Sequence, residues 1–217
     1  MKKHYNAVLF DLDGTLLDTT EGVVAAVRKT ILDNDFPMPD AVVLKSFVGP
    51  PMQKTMGEVF NLDKEIALRV ANEFRENYKS SLFQAKLYDG VSGLLQNLQK
   101  SGWKIAVATN KSHQNAMNVL ERFGILQYCD FAQGSDLAGK LSKKDIIEKC
   151  IRALDCNKKD VVLIGDSIFD LQGAEQAEVD FVAVTYGFGF IPGDEISSKR
   201  CVFVADDTVE LMQWLTA

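Results

Sequence analysis

Two aspartates lie at the end of the first apolar run of this 217-residue chain. Asp11 and Asp13 stand two positions apart in the stretch DLDGTLLDT, directly after the run from Ala7 to Phe10. A carboxylate in such a place can act as a nucleophile, as a general acid or base, or as a ligand of a hard cation. Asp and Gly also favour turns, so this stretch alone is equally consistent with a simple turn.

A second pair of aspartates follows the apolar run from Val161 to Ile164, in the stretch GDSIFD. Asp166 alone could be a helix cap. Four carboxylates that meet at one edge of a sheet repel one another unless a cation neutralises them, and oxygen ligands of this type suit Mg²⁺. The two pairs together predict a magnesium site, and its ligands are Asp11, Asp13, Asp166 and Asp170.

Hydrogen-bond donors for an anion follow a third apolar run, from Ile105 to Ala108. Thr109, Asn110 and Lys111 offer a hydroxyl, an amide and an ammonium group, although Thr109 could also simply cap the strand. Further cations lie between Gly139 and Asp145, at the start of a predicted helix whose amides also favour anions. Lysines in a surface loop are usually solvated, so none of these is assigned on its type alone. A metal with such donors fits a phosphate group.

The elements that position these residues alternate between strand and helix. Short runs that are apolar throughout indicate strands buried on both faces of a parallel sheet. The five runs are Ala7 to Phe10, Ile105 to Ala108, Val161 to Ile164, Phe181 to Val184, and Val202 to Val204. Segments with helical spacing lie between them, so the sequence predicts a doubly wound, Rossmann-like α/β fold. In such folds ligands bind beyond the carboxyl ends of the strands.

One region contains only helical patterns. It extends from about Thr20 to Gln84, and Asp18 with Glu21 fits a capping box at its first helix. The predicted helices include Val23 to Ile31, Met52 to Phe60, and Ile66 to Tyr78. We therefore predict a core domain of residues 1–18 and 85–217, with an inserted helical cap subdomain at residues 19–84.

Composition excludes several classes of function. The net charge is −6 and the basic residues are scattered, so a nucleic-acid partner is not expected. No apolar stretch approaches the length of a membrane span, and the four-residue run near the start is too short for a signal peptide. The four cysteines form no C-x-x-C pair, as is usual in a reducing compartment. We expect a cytoplasmic protein that acts on a small molecule.

The motifs together resemble the phosphatase branch of the haloacid dehalogenase superfamily. The resemblance rests on DLDGT, on Thr109, on a lysine near position 143 and on GDSIFD, in that order. VGPP, KLYDGV and YGFG further resemble the phosphoglycolate phosphatase-like group. The third motif often reads Lys-Pro, but no proline follows Lys140, Lys143 or Lys144 here. The stretch Ser-Lys-Lys-Asp-Ile-Ile favours Lys143.

The resemblance implies a role for each site residue. Asp11 would form an aspartyl-phosphate, and Asp13 would act as general acid and base while its main-chain carbonyl ligates Mg²⁺. Asp166 would bind the metal directly and Asp170 indirectly. The residues expected to hold or admit the phosphate are Thr109, Lys143, Asn110, Lys111 and Gly14. The helical insertion would be a cap that closes over the site.

Several alternatives remain open at this point. A phosphomutase of the β-phosphoglucomutase type would use the same nucleophile, and a phospho-accepting receiver module would signal rather than turn over. Dehalogenase activity is disfavoured, because that branch works without Mg²⁺. Phosphoglycolate is the first substrate considered, beside nucleoside monophosphates, pyrophosphate and sugar phosphates. Gln53, Lys54 and Arg75 could contact the substrate, Lys54 being the one we select, and the protein is expected to be a monomer or homodimer.

Overall fold

The computed structural model describes residues 4–136 and 140–217. The chain forms two compact units. The first, which we name the α/β unit, consists of Met1–Asp18 and Leu87–Ala217. The second, the helical unit, is Thr19–Lys86. No helix in the described ranges is long and apolar enough to cross a membrane.

The α/β unit alternates strands and helices along the chain. Its strands are β1 (Ala7–Phe10), β2 (Leu17–Asp18), β3 (Lys86–Leu87, shared with the helical unit), β4 (Lys104–Ser112), β5 (Phe131–Ser135), β6 (Val161–Gly165), β7 (Asp180–Val184) and β8 (Cys201–Ala205). Its helices are α5 (Val91–Lys100), α6 (His113–Arg122), α7 (Lys143–Ala153), α8 (Ile168–Ala177) and α9 (Thr208–Thr216), with short 3₁₀ helices at Leu126–Tyr128 and Lys158–Asp160.

Six of these strands, within the described residues, form one parallel sheet in the order β5-β4-β1-β6-β7-β8. Side chains alternate between the two faces of each strand. Ala7 and Leu9 of β1 belong to a buried apolar cluster with Ile146 and Ile147 of α7 and Leu171 of α8. The apolar runs are therefore buried because helices cover the sheet, and the predicted α/β fold class is confirmed.

The helical unit contains α1 (Thr20–Asp33), α2 (Ala41–Lys45), α3 (Met52–Phe60) and α4 (Lys64–Ser81) in its described residues. Helix α4 packs against α1 and α3. The side chains of Val27, Ile31 and Val70 are fully buried, and the rings of Phe36 and Phe60 stack with centroids 4.7 Å apart. The three predicted helices of this region correspond to α1, α3 and α4.

Three sequence expectations differ from the structure. The capping box at Asp18 and Glu21 is wrong, because Asp18 still belongs to β2 and the N-cap of α1 is Thr19, whose side chain makes no capping bond. Strand β8 was expected to be buried on both faces, but it lies at an edge of the sheet and Val202 is 40% exposed. Strand β5 was not predicted, because the sequence FAQGS is short and largely polar.

Candidate active site

The ends of three neighbouring strands define the site. Phe10 of β1 stands opposite Val107 of β4 and Ile164 of β6 in the parallel register. The residues that follow these positions emerge at the same edge of the sheet. They are Asp11, Thr109 and Asp166. Asp11 and Asp166 come directly after β1 and β6, whereas Thr109 lies within the last part of β4.

Asp11, Asp166 and Asp170 form a buried cluster at this edge. Each offers a carboxylate oxygen, and these three atoms all lie within 4.8 Å of one another. The Lys143 ammonium is 2.5 Å from Asp11 Oδ1 and 2.6 Å from Asp170 Oδ1. The ammonium contacts two of the three carboxylates, so the ionised cluster would carry two net negative charges, the amount that one divalent cation neutralises.

Local helix chemistry explains how Lys143 reaches this cluster. Ser142 is the N-cap of α7, and it forms a capping box with Asp145 in which each side chain accepts the other's backbone N–H. Lys143 is therefore the first residue of the helix, and it is buried, whereas Lys140 is exposed and Lys144 half-buried. Of the three candidate lysines, the structure brings Lys143 to the carboxylates. Gly139, at the start of that run, lies outside the described residues.

Asp170 is tied to the protein through both carboxylate oxygens. Its Oδ2 accepts hydrogen bonds from the backbone N–H of Ser167, at 3.1 Å, and from the Ser167 hydroxyl, at 2.5 Å. Its Oδ1 faces Lys143. Ser167, not Asp166, is the N-cap of α8, so the alternative in which Asp166 serves as a helix cap is wrong.

Asp166 is held by the segment that follows β7. The backbone N–H groups of Phe188 and Gly189 donate to its Oδ2 at 2.7 and 3.3 Å. The Thr15 hydroxyl lies 3.5 Å from its other oxygen, Oδ1. Sequence reasoning noted the YGFG stretch only as a group resemblance and gave it no role. The available signal was its position directly after a fully buried strand, at the same edge of the sheet.

The Asp13 carboxylate is placed differently from the other three. Lys111 Nζ lies 2.9 Å from both of its oxygens, and Asp13 is not part of the carboxylate cluster formed among the described residues. The structure therefore gathers three of the four predicted metal-ligand side chains. The prediction that the main-chain carbonyl of Asp13 ligates Mg²⁺ concerns the backbone, and the position of the side chain does not affect it.

The predicted phosphate-binding residues differ in burial. Thr109 is buried and its hydroxyl accepts the backbone N–H of Lys111 at 3.1 Å, whereas Asn110 is exposed. Gly14 has a φ of 90°, and a Cβ there would lie 2.3 Å from Asp166 Oδ2, so a side chain there would collide with the Asp166 carboxylate.

The cap candidates all lie in the helical unit. Lys54 is exposed and 3.9 Å from Glu58. Gln53 donates to the Lys64 carbonyl at 3.2 Å, and Arg75 donates to the Asn72 side chain. Each of these side chains has a neighbour in its own unit.

The electrostatics of the cluster favour an added positive charge. Burial raises the pKa of Asp11, with Asp170 and Asp166 adding to the rise while Lys143 opposes it. Burial, followed by the charge of Asp170, raises the pKa of Asp166 to about 6. Burial alone would lower the pKa of Lys143, but the two carboxylates outweigh it and raise that pKa. A divalent cation would stabilise the ionised carboxylates, so these residues fit a metal.

Comparison with known proteins decides the family. The sequence model described as haloacid dehalogenase-like hydrolase matches residues 8–184. The chain belongs to this family. A 5'-nucleotidase of Pseudomonas aeruginosa is 30% identical, over 97% of this chain and 96% of that protein. A phosphoglycolate phosphatase of Rhodospirillum rubrum is 28% identical, over 96% and 90% respectively.

A solved structure supports the same assignment. The crystal structure of a predicted phosphatase from Clostridium acetobutylicum is 34% identical with a TM-score of 0.88, and the match covers 98% of this chain and 99% of that one. The predicted family and the predicted enzyme class, a phosphoric monoester hydrolase of the haloacid dehalogenase-like phosphatases, are confirmed.

Proposed function

We propose that this haloacid dehalogenase-like phosphatase hydrolyses small phosphate monoesters through an aspartyl-phosphate on Asp11, with Mg²⁺ as its cofactor. The observation that carries the proposal is the buried cluster of three carboxylates around Lys143 at the carboxyl edge of the sheet. A cluster with two net negative charges suits a divalent cation, whose charge would in turn attract a phosphate group to the site.

In the proposed first step, Asp11 attacks phosphorus and the bond from phosphorus to the leaving oxygen breaks. Asp13 gives its proton to that oxygen, so the product alcohol leaves neutral. In the second step Asp13 takes a proton from water and the water oxygen attacks phosphorus. The bond from phosphorus to the Asp11 oxygen then breaks, which releases inorganic phosphate and restores both the Asp11 carboxylate and the protonated Asp13. The Asp13 carboxylate is paired with Lys111 and lies outside the carboxylate cluster of the described residues, so this side chain is separate from the carboxylates that would hold the metal.

The remaining residues hold and neutralise the phosphate. Lys143 lies 2.5 Å from the Asp11 oxygen and would stabilise the negative charge that develops on the transferred phosphoryl group. Thr109 would donate its hydroxyl, and Asn110 and Lys111 would add an amide and an ammonium. Gly14 would let backbone amides approach the phosphate. Asp11, Asp166 and the main-chain carbonyl of Asp13 would hold Mg²⁺, with Asp170 acting indirectly. When bound, the ion would polarise the phosphoryl oxygens and screen the nucleophile's charge.

For the substrate, we propose phosphoglycolate first. A phosphoglycolate phosphatase and a 5'-nucleotidase are both among the relatives, so nucleoside monophosphates are the main competing class. Pyrophosphate is a third, since a related protein of Halalkalibacterium halodurans is named a pyrophosphatase. We further propose a cytoplasmic location and a monomeric or homodimeric state.

A panel assay tests this function. Purified protein is incubated with phosphoglycolate, nucleoside monophosphates, pyrophosphate and sugar phosphates, each with Mg²⁺ and with excess chelator, and released phosphate is measured. We expect phosphate release that depends on Mg²⁺ and is fastest for phosphoglycolate. Undiminished release in chelator would contradict the metal assignment. Conversion of a sugar phosphate only when a sugar bisphosphate is added would instead indicate a phosphomutase.

We also propose that the helical unit acts as the cap and contributes to substrate choice through Lys54. Lys54 is exposed, and its partner Glu58 is at the limit of an ion pair, so its ammonium is available to a ligand. Lys54→Ala should raise KM for phosphoglycolate and leave kcat unchanged. Lys79→Ala, at a second exposed lysine of the helical unit, is the matched control. Equal KM values in the two variants would exclude Lys54 from substrate binding.

A further inference from the structure

Asp166 receives three consecutive backbone N–H groups from one short segment. Phe188 and Gly189 donate to its carboxylate oxygen Oδ2, and Phe190 donates to its main-chain carbonyl at 2.7 Å. We name Tyr186–Phe190 the amide loop. The Tyr186 hydroxyl donates to the Thr15 carbonyl at 3.1 Å, which anchors the beginning of the loop next to the DLDGT stretch.

The approach of the amide loop leaves no room for side chains at two of its positions. A Cβ on Gly187 would lie 2.3 Å from the Gly14 carbonyl oxygen and 2.4 Å from Asp166 Cβ. A Cβ on Gly189 would lie 2.6 Å from the Asp166 carbonyl oxygen. These neighbours are backbone atoms or the base of a side chain, so they cannot move aside without displacing the strand ends. The loop reaches Asp166 because both positions are glycine.

The hydrogen bonds divide the two oxygens of Asp166 into different roles. Oδ2 is occupied by two backbone donors, whereas Oδ1 has, among the described residues, only the Thr15 hydroxyl at 3.5 Å, the outer limit of a hydrogen bond. A carboxylate fixed through one oxygen can present only the other one to a ligand. Groups that orient a metal ligand in this way usually control affinity for the metal.

We propose that the amide loop is the positioning element of the cation site, and that Gly187 is the residue on which its approach depends. The loop fixes the Asp166 carboxylate so that Oδ1 alone faces the cation. This inference rests on the proposed metal-dependent function. It assigns to Gly187 a role in metal affinity that is separate from the chemistry of Asp11 and Asp13.

Gly187→Ala tests the proposal, with Gly93→Ala as the matched control. Gly93 lies in α5 with nothing within 4 Å of a Cβ, so the same chemical change there meets open space. Mn²⁺, which shares the oxygen preference of Mg²⁺, is titrated into each free protein and followed by electron paramagnetic resonance. Gly187→Ala should weaken Mn²⁺ binding about 10- to 100-fold, and Gly93→Ala should leave it unchanged.

Kinetics give a second readout that a general loss of structure would not reproduce. The Mg²⁺ concentration for half-maximal activity should rise in Gly187→Ala, while kcat at saturating Mg²⁺ returns to within about threefold of the wild type, because only the metal affinity is reduced. A lower kcat with unchanged Mn²⁺ affinity would overturn the proposal.

The outcomes separate this inference from the proposed function. If the wild-type protein itself binds no Mn²⁺, the metal site fails. If the wild type binds and Gly187→Ala binds equally well, the role of the amide loop fails while the metal site stands. Should Gly187→Ala not fold, Gly189→Ala applies the same test from the other end of the loop, and wild-type affinity in that variant equally overturns the proposal.

Discussion

A methyl group added at Gly173 tests whether the fold holds Lys143 in the position that its proposed catalytic role requires. Gly173 lies in α8, where a Cβ would be 2.4 Å from Lys143 Cγ and 2.9 Å from Lys143 Cβ. The lysine cannot swing away freely, because its ammonium is held 2.5 and 2.6 Å from Asp11 and Asp170. In Gly173→Ala, the packing of α7 on α8 and the two ion pairs of Lys143 therefore cannot both be kept.

The expected magnitude follows from these distances. Ordinary van der Waals contact begins at 3.4 Å, so Gly173→Ala must displace Lys143 or one of the helices by about 1 Å. Overpacking of this kind costs about 1–3 kcal/mol in the free energy of unfolding. The replacement of a helical glycine by alanine returns about 1 kcal/mol, so the net loss is about 1 kcal/mol. A displacement of about 1 Å at a catalytic group can reduce kcat about 100-fold.

Urea unfolding followed by circular dichroism, together with kcat at saturating Mg²⁺ and substrate, measures both quantities. Gly93→Ala is again the control, and it should gain about 1 kcal/mol of stability with kcat unchanged. If Gly173→Ala gained stability as the control does and kept its kcat, the contact between Gly173 and Lys143 would not constrain the site, and the reasoning would be refuted.

Three further predictions concern the charged residues of the site. Between about pH 4 and pH 7, the metal-free wild type should lose about 3 kcal/mol of unfolding free energy relative to Asp166→Asn. The folded protein holds the Asp166 proton more tightly than the unfolded chain does, so unfolding releases a proton and stability falls as pH rises. Parallel stability curves for the two proteins would contradict this. Lys143→Met should cost about 3–5 kcal/mol at neutral pH, since it leaves buried carboxylates without their ammonium, and Lys144→Met should cost far less; equal losses in urea titrations would show that Lys143 is not the buried partner. With an aryl phosphate, Asp13→Asn should accumulate the phosphorylated enzyme and Asp11→Asn should form none, as detected by mass spectrometry after acid quench; phosphate mapped to Asp13 would reverse the assigned roles.

The convergence of the site residues was predictable from the sequence because it depends on strand ends. Each apolar run ends where polar residues begin, and parallel register brings those ends to one edge, as Phe10, Val107 and Ile164 show. The placement of Lys143 could also be predicted from the sequence. Ser142 and Asp145 have the spacing of a capping box, which makes Lys143 the first residue of its helix.

Other features depend on tertiary placement that residue types do not encode. The backbone N–H groups of Phe188 and Gly189 are invisible to any reading of side chains, although they hold Asp166. The pairing of Asp13 with Lys111 depends on the path of the chain through the irregular last residues of β4. Strand β5 carries Gln133, Gly134 and Ser135, which give no apolar run, so its pairing with β4 rather than its composition makes it a strand.

The central position of β1 has a consequence for synthesis of the chain. Ala7 pairs with Lys104 on one side and with Val161 on the other, so β1 gains its second partner only after β6 has been synthesised. Until β6 has left the ribosome, one whole side of this apolar strand has no partner. Pairings so distant in sequence slow folding and leave hydrophobic surface exposed to aggregation. We therefore expect nascent chains that end before residue 161 to depend on chaperones, whereas the helical unit, with its local contacts, can fold while the rest is still being translated.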